Sequence, residues 1–493
     1  MVHKSIYRRI FRHSVIYVAG TILSRAISFI LLPIYTRYLT PSDYGVVGLI
    51  SMTCDVIAMI IGVGITAAVL RFYSEKESPE EKKRVISTAL IGGSAFFIIV
   101  FGLTSFFSKS FSILIFGEAT YTYYMQIAFI TMIFYAFIEV PLAFLRADAR
   151  SVEFVIINLV KLIIQFSLNV WFIVFLGYGV LGILYSSLIS FVLISIYLLA
   201  STVKECGFGF SRSIFRELLQ YGYPLILADL GAFVLTFSDR YFLRAYQNLT
   251  EVGLYSLGYK LGMLLSFLLI APFHQHWAAE MFQVDKREDR KEVFVRVFTM
   301  ISITSLIFIF TLSVYIKEII RIISAPEYLQ AYTVVPFICV AYYFNGMMEY
   351  VQLGSLIRKK TKYVAYSTTI AAVSNIILNF LLIPPFGIYG AGVSTIISFY
   401  IRFIIVYKLS QKVYPLSYRW TRLNILLAYS AAILLASYQL TYSNLVASIA
   451  KDTAFLALFL ALTFLFWLRG KERELILTII KNPRKAAKVL AES

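Results

Sequence analysis

The chain has 493 residues, of which 59% are hydrophobic and only 15% charged, too little polar surface for a soluble globular protein of this length. Its net charge of +18 invites a nucleic-acid reading, which the distribution of that charge argues against. Three scattered cysteines, Cys54, Cys206 and Cys339, keep neither metal nor disulfide spacing.

Apolar runs of about 20 residues, enough to cross a bilayer core, recur along the whole chain, and their continuity excludes a β-barrel. The basic start MVHKSIYRRIFRH imitates a signal peptide, but the apolar run continues to about Leu39 and reads as an uncleaved first helix. Fourteen spans are predicted, at about 14–39, 43–73, 85–107, 122–147, 152–176, 179–203, 217–246, 250–281, 293–316, 330–357, 362–386, 387–411, 421–441 and 452–469. The fold class is an all-α integral membrane protein.

Lys and Arg orient the spans. With the N-terminus in the cytoplasm, the termini and cytoplasmic connectors hold 33 of the 45 basic residues and the opposite loops hold 6. That asymmetry predicts a multi-pass protein of the cytoplasmic (inner) membrane with both termini cytoplasmic. It also accounts for most of the charge without a nucleic-acid partner.

A shift of 208 residues aligns Ser42–Leu49 with Thr250–Leu257, and GVLGILYSSLIS from Gly179 with GIYGAGVSTIIS from Gly387. Leu168-Asn169 pairs with Leu378-Asn379 after a two-residue gap. Six spans separate the mates, so the repeats run parallel. The predicted organisation is an N-terminal six-helix bundle (1–204), a C-terminal six-helix bundle (217–411), two appended helices (421–469) and a basic cytoplasmic tail (470–493).

Polar residues inside the spans are the site candidates. Arg25, about 11 residues into the first span, would cost roughly 2.5–3.5 kcal/mol facing lipid. It shares a helical stripe with Thr21, Ser24, Ser28 and Tyr35, while the Gly20, Ser24, Ser28 spacing also suits helix packing. Asn158, Lys161, Gln165 and Asn169 share a face of the fifth span, and Thr368, Asn375 and Asn379 a face of the eleventh. Asp229, Thr236 and Arg240 line the seventh; Lys260 lies on the eighth; Asn345 and Glu349 lie on the tenth; Glu139 lies on the fourth. Arg25, Lys161, Arg240 and Lys260 are the expected contacts for an anionic head group, with Ser28, Asn158, Gln165, Asn169, Asn345, Asn375 and Asn379 as polar lining. Asp55, Asp229 and Glu349 are the candidate acids for coupling to H+ or Na+. Ion pairing among these charges is the competing reading for each. His274 and His276, at i and i+2, point apart on a helix, so no metal site is expected, and no cofactor or phosphate loop is indicated.

Three stretches carry a family resemblance: GTILSRAISFILLPIYTRYLTPSDYGVVGLI (Gly20 onward), FSDRYFLRAYQNLTEVGLYSLGYKLGMLL (Phe237 onward) and PPFGIYGAGVSTIIS (Pro384 onward). The chain resembles the polysaccharide transporter family of the multidrug/oligosaccharidyl-lipid/polysaccharide flippase superfamily. The resemblance implies an O-antigen (Wzx-like) flippase and not an enzyme. It implies a polyprenyl-pyrophosphate-linked glycan as cargo, alternating access, contact with membrane lipid, and a polysaccharide polymerase and chain-length regulator as partners. A multidrug or cation antiporter of the same superfamily is the nearest alternative, and the intramembrane cations weigh against it. A membrane-embedded glycosyltransferase or polymerase would need a long catalytic loop, which the short connectors do not supply.

Overall fold

The computed structural model describes residues 29–358, 360, 362–440, 442 and 444–467. Arg25, Ser28, the first half of the first expected span and the 470–493 tail lie outside these residues. Among the described residues the chain is helical and without strands, as the apolar runs predict. A helix ending at residue 38 (α1) is followed by α2 (Pro41–Glu75), α3 (Pro79–Phe106), α4 (Ser108–Phe116), α5 (Thr122–Ala147), α6 (Ser151–Asn169), α7 (Gly179–Cys206), α8 (Arg212–Tyr246) and α9 (Leu249–Gly262). Then come α10 (Ala271–Val284), α11 (Arg290–Ile323), α12 (Val335–Val351), α13 (Leu353–Ile357), α14 (Lys362–Val413), α15 (Trp420–Gln439) and α16 (Leu445–Leu462).

Among the described residues ten helices are long and apolar enough to cross a membrane, or eleven with the bent pair Pro326–Thr333 and Val335–Ile357 counted as one. The expected count of fourteen is not confirmed by these helices, and several expected spans account for the difference. α8 carries seven charged residues in its 35, which lowers its apolarity. The 52-residue α14 would be ~78 Å long as a straight helix, far beyond a ~30 Å hydrocarbon core. It is broken at Gly387, whose φ of 54° and ψ of −130° are not helical. Much of the first span lies outside the described residues.

The repeat seen in the sequence has structural counterparts. Thr40 caps α2 by accepting the Asp43 N–H at 3.1 Å, and its mate 208 residues on, Asn248, accepts the Glu251 N–H at 2.9 Å at the start of α9. Side-chain caps of this kind satisfy N–H groups that the first helical turn leaves open. Gly179 and Gly387, also 208 apart, both take positive φ, 53° and 54°.

By contacts the chain divides into two compact units. The first comprises the described residues up to Leu257, with Ile323–Ala331 and Thr368–Ser398. There α2, α3, α5 and α8 bury a cluster that includes Val69, Ile86, Phe144 and Leu218. Arg150 ties the start of α6 to the end of α7 through Glu205 at 2.7 Å, and the Tyr73 hydroxyl donates to Asp148 at 2.8 Å, closing the same end. In lipid, apolar burial adds little between helices, so close approach through small residues matters more. α2 crosses α8 at Gly64 and Gly222, where a Cβ on Gly64 would lie 2.5 Å from the Gly222 Cα. Large apolar side chains such as Leu114 (80% exposed) and Phe380 (59%) face outward, as a lipid-facing surface requires.

The second unit comprises Gly258–Ile322, Tyr332–Ser367 and the chain from Phe399 on. In it α15 and α16 dock on α11. Phe310 stacks on Phe459 with ring centroids 4.1 Å apart, Tyr438 donates to the Ser313 carbonyl at 2.8 Å, and Ser448 donates to Glu318 at 2.6 Å.

Candidate functional site

The first unit encloses a cavity of about 530 Å³, within the range of small-molecule sites. One wall is α2, contributing Asp55, Met59, Gly62, Thr66 and Leu70. Their spacings of three, four and seven place them on one helical face, running ~22 Å along the axis from Asp55 to Leu70. The second wall is α5, contributing Met132, Tyr135, Glu139 and Arg146, again at spacings of three, four and seven. Phe97 from α3 and Phe191 from α7 close the sides.

Charge is unevenly placed in this space. Asp55 opens to the cavity and makes no side-chain hydrogen bond or ion pair among the described residues. Arg146 lies beside the last turn of α5, with its Nε buried and unpaired and its guanidinium 5.6 Å from the Phe154 ring. Glu139 lies two turns back from Arg146, within electrostatic reach of Tyr135. The rings of Tyr135 and Phe191 stack at 5.8 Å and 26°. Lys161 of α6 extends its Nζ over the Phe191 ring at 5.6 Å, within electrostatic reach of Glu139. A cation over an aromatic face gains roughly 0.5–2 kcal/mol according to its desolvation.

The other expected residues fall elsewhere. Asn158 bonds its own helix at the Phe154 carbonyl (2.8 Å), and Gln165 joins α6 to α7 through Ser187 (2.9 Å). Asn169 is fully buried at the end of α6, just before the π turn Val170–Phe175, and neither atom of its amide has a partner.

Arg240, expected in the cavity, is only 2% exposed. Its Nη1 pairs with Asp239 at 2.8 Å and donates to the Thr236 carbonyl at 2.5 Å. The Tyr255 hydroxyl donates to the other oxygen of Asp239 at 2.5 Å. Asn375 and Asn379 are buried beside this pair. Ser238 donates to Asn375 at 2.9 Å, and Asn379 donates to Asn375 at 3.0 Å and to Ser238 at 3.2 Å. These side chains bind α8, α9 and α14 to one another. The adjacent Asp239-Arg240 pair was the sequence signal for this, and a helical wheel that sets neighbours on different faces hides it.

Lys260, Asn345 and Glu349 belong to the second unit. Arg402 donates to Asn345 at 2.8 Å, Glu349 accepts from Gln352, and His274 lies 3.5 Å from Glu349. Glu349 is thus engaged, whereas Asp229, half-buried on α8, has no side-chain partner among the described residues. No cluster of metal-ligating residues occurs among the described residues.

Arg146, Tyr135, Phe97 and Phe191 were absent from the sequence-based site. The stripe from Met132 to Arg146 was legible as one helical face, but Arg146 lies at the very end of the expected fourth span, where a basic residue reads as a boundary charge.

Comparison with known proteins places this geometry. The fold matches the lipid II flippase MurJ in an inward closed conformation, with a TM-score of 0.74 at 15% identity over 91% of this chain and 99% of that one. It also matches an inward-facing multidrug resistance MATE family transporter, with a TM-score of 0.64 at 16% identity over 78% and 93%. In sequence it is 25% identical over 276 residues to "Lsg locus putative protein 1" of Haemophilus influenzae, spanning 53% of this chain and 64% of that relative's length. It is 24% identical over 412 residues to the "Putative O-antigen transporter" of Shigella flexneri, spanning 78% of this chain and 94% of that relative. The sequence profile described as polysaccharide biosynthesis protein matches residues 34–332, more than half of the chain. The chain, a multi-pass helical membrane protein with the fold of the MurJ and MATE transporters, belongs to the polysaccharide biosynthesis protein family.

Proposed function

We propose that the protein flips a polyprenyl-pyrophosphate-linked oligosaccharide, an O-antigen or other surface polysaccharide repeat unit, across the cytoplasmic membrane by alternating access. The observation that carries this reading is the cavity of the first unit, with the buried, unpaired Nε of Arg146 on its wall and Lys161 beside it. A pyrophosphate cannot cross hydrocarbon unaided, and a guanidinium with an open donor holds it by charge-assisted hydrogen bonds. The stacked Tyr135 and Phe191 rings offer apolar faces to sugars. The family and the similarity to an O-antigen transporter support the same cargo.

In this reading both termini are cytoplasmic, as the Lys and Arg asymmetry expects, so Arg146 stands at the cytoplasmic mouth. Coupling to a H+ or Na+ gradient belongs to it as well, with Asp229 and Asp55 the acids positioned to carry the ion. A polysaccharide polymerase and a chain-length regulator are the partners it calls for.

The test is reconstitution into liposomes loaded with a polyprenyl-pyrophosphate-linked oligosaccharide, reading the glycan that becomes accessible to an external glycosidase. The protein is expected to speed exposure, and well-folded Arg146→Gln and Lys161→Gln variants to slow it at least about tenfold, the loss of one charged contact. The second reading, a cation antiporter, is favoured by the carboxylates Asp55 and Glu139 in the same cavity. Proteoliposomes that extrude ethidium down a proton gradient and leave the glycolipid in place would establish it instead.

A further inference from the structure

The cavity is polar in a directed way. Its cation, Arg146, stands at the end of α5, and its unpartnered carboxylate, Asp55, lies ~22 Å away along the α2 face, measured to Leu70 at the Arg146 end. Between them lies the aromatic wall of Tyr135 and Phe191, with Glu139 on the same face of α5. We propose that the inner end of this cavity is a sugar-reading subsite, in which Asp55 favours repeat units that begin with a neutral or amino sugar over those that begin with a uronic acid. The inference rests on the transport reading above and adds the class of sugar.

The argument is one of donors, acceptors and sign. A neutral pyranose offers hydroxyl donors, and an ionised carboxylate is acceptor-only, so Asp55 suits the edge of such a ring. An amino sugar adds a cation or an amide N–H, which suits it equally. A uronic acid brings a second carboxylate into the same half-open cavity, where the low-dielectric walls make like charges repel more strongly than in bulk water. The cations do not cancel this. Arg146 is at the far end of the cavity, and Lys161 is shared between the Phe191 ring and Glu139. The aromatic wall holds the apolar face of the sugar, and the pyrophosphate of the same molecule then lies toward Arg146.

The experiment uses the full chain in lipid nanodiscs and measures equilibrium binding by native mass spectrometry, with no ion gradient. The probes are polyprenyl pyrophosphate alone, the same lipid carrying N-acetylglucosamine, and the same lipid carrying glucuronic acid. Wild type is expected to bind the N-acetylglucosamine lipid at least about tenfold more tightly than the glucuronic acid lipid, the scale of one charge–charge term. Asp55→Asn and Asp55→Ser are expected to reduce that preference to less than about threefold without lowering the melting temperature. Two variants guard against a folding defect in either. Equal affinity for both glycolipids in wild type overturns the inference and leaves the transport reading standing. So does a preference that survives both substitutions, the result expected if Asp55 serves ion coupling alone. If none of the three lipids binds wild type, the transport reading fails and the sugar subsite fails with it.

Discussion

Gly45 and Gly253, 208 positions apart in the sequence, pack reciprocally where α2 meets α9. A Cβ on Gly45 would collide with the Leu249 carbonyl oxygen and lie 3.1 Å from the Gly253 N. A Cβ on Gly253 would collide with the Pro41 carbonyl oxygen and lie 3.2 Å from the Gly45 N. Pro41 and Leu249 are themselves 208 apart. Residue i touches the mate of j while j touches the mate of i, the signature of a two-fold contact. Each glycine is needed because backbone, not a flexible side chain, occupies the space its Cβ would take. Gly45→Ala and Gly253→Ala are each expected to destabilise the fold by about 1–3 kcal/mol, as overpacking does. Since either substitution pushes the same two helices apart, the double variant should cost less than the sum. Thermal unfolding in detergent measures this, and strict additivity would show that the two glycines do not share one contact.

Asp239 and Arg240 make a different kind of claim on stability. Both are essentially inaccessible, and their 2.8 Å pair is completed by Tyr255 and the Thr236 carbonyl. Removing one partner from a buried pair strands the other charge at a cost of about 3–5 kcal/mol, whereas replacing both by neutral groups costs less. Arg240→Met should therefore lower the melting temperature more than Asp239→Asn combined with Arg240→Met. A single variant as stable as the double would mean that Asp239 finds another counter-charge.

Much of this fold was legible because lipid imposes a simple rule. Continuous apolar runs must be helices. The offset of 208 was legible too, and its aligned stretches pair Gly45 with Gly253 and Gly179 with Gly387. Three things were not. The break at Gly387 is a single backbone angle inside an apolar run. The pairing of Arg240 with its chain neighbour depends on a guanidinium folding back along its own helix. The cavity wall of Tyr135, Glu139 and Arg146 combines a ring, an acid in mid-span and a base at the span's end, which no single residue class marks as one face. Lys161 and Asp55 were singled out only as charges inside a span, because such a charge needs a reason wherever it points.

Asn169 and Asn379 are repeat mates with opposite circumstances. Asn379 is held in a network with Asn375 and Ser238, while the Asn169 amide is buried without a protein partner. Leucine shares the branching of asparagine at Cγ. Asn379→Leu should destabilise by about 1–3 kcal/mol by leaving Asn375 and Ser238 short of a partner. Asn169→Leu, which strands nothing, should be neutral or stabilising. Comparing the two melting temperatures checks the contrast. A large loss at Asn169 would place an ordered water on its amide, since buried waters of that kind are costly to remove.

Gly179 and Gly387 test whether the repeat extends to backbone angles. One is the first residue of α7 and the other lies inside α14, yet their φ values are 53° and 54°. A side chain strains both alike, because a positive φ at a non-glycine residue outside the favoured wells costs of order 1–3 kcal/mol. Space does not decide the matter, since a Cβ at Gly179 or Gly387 would meet its nearest neighbour at 3.9 or 3.7 Å, ordinary contact. Gly179→Ala and Gly387→Ala should therefore lower stability by similar amounts through the backbone alone. If Gly387→Ala were harmless while Gly179→Ala was costly, α14 would tolerate a straight path through position 387, and the two halves of that helix would not be separate spans.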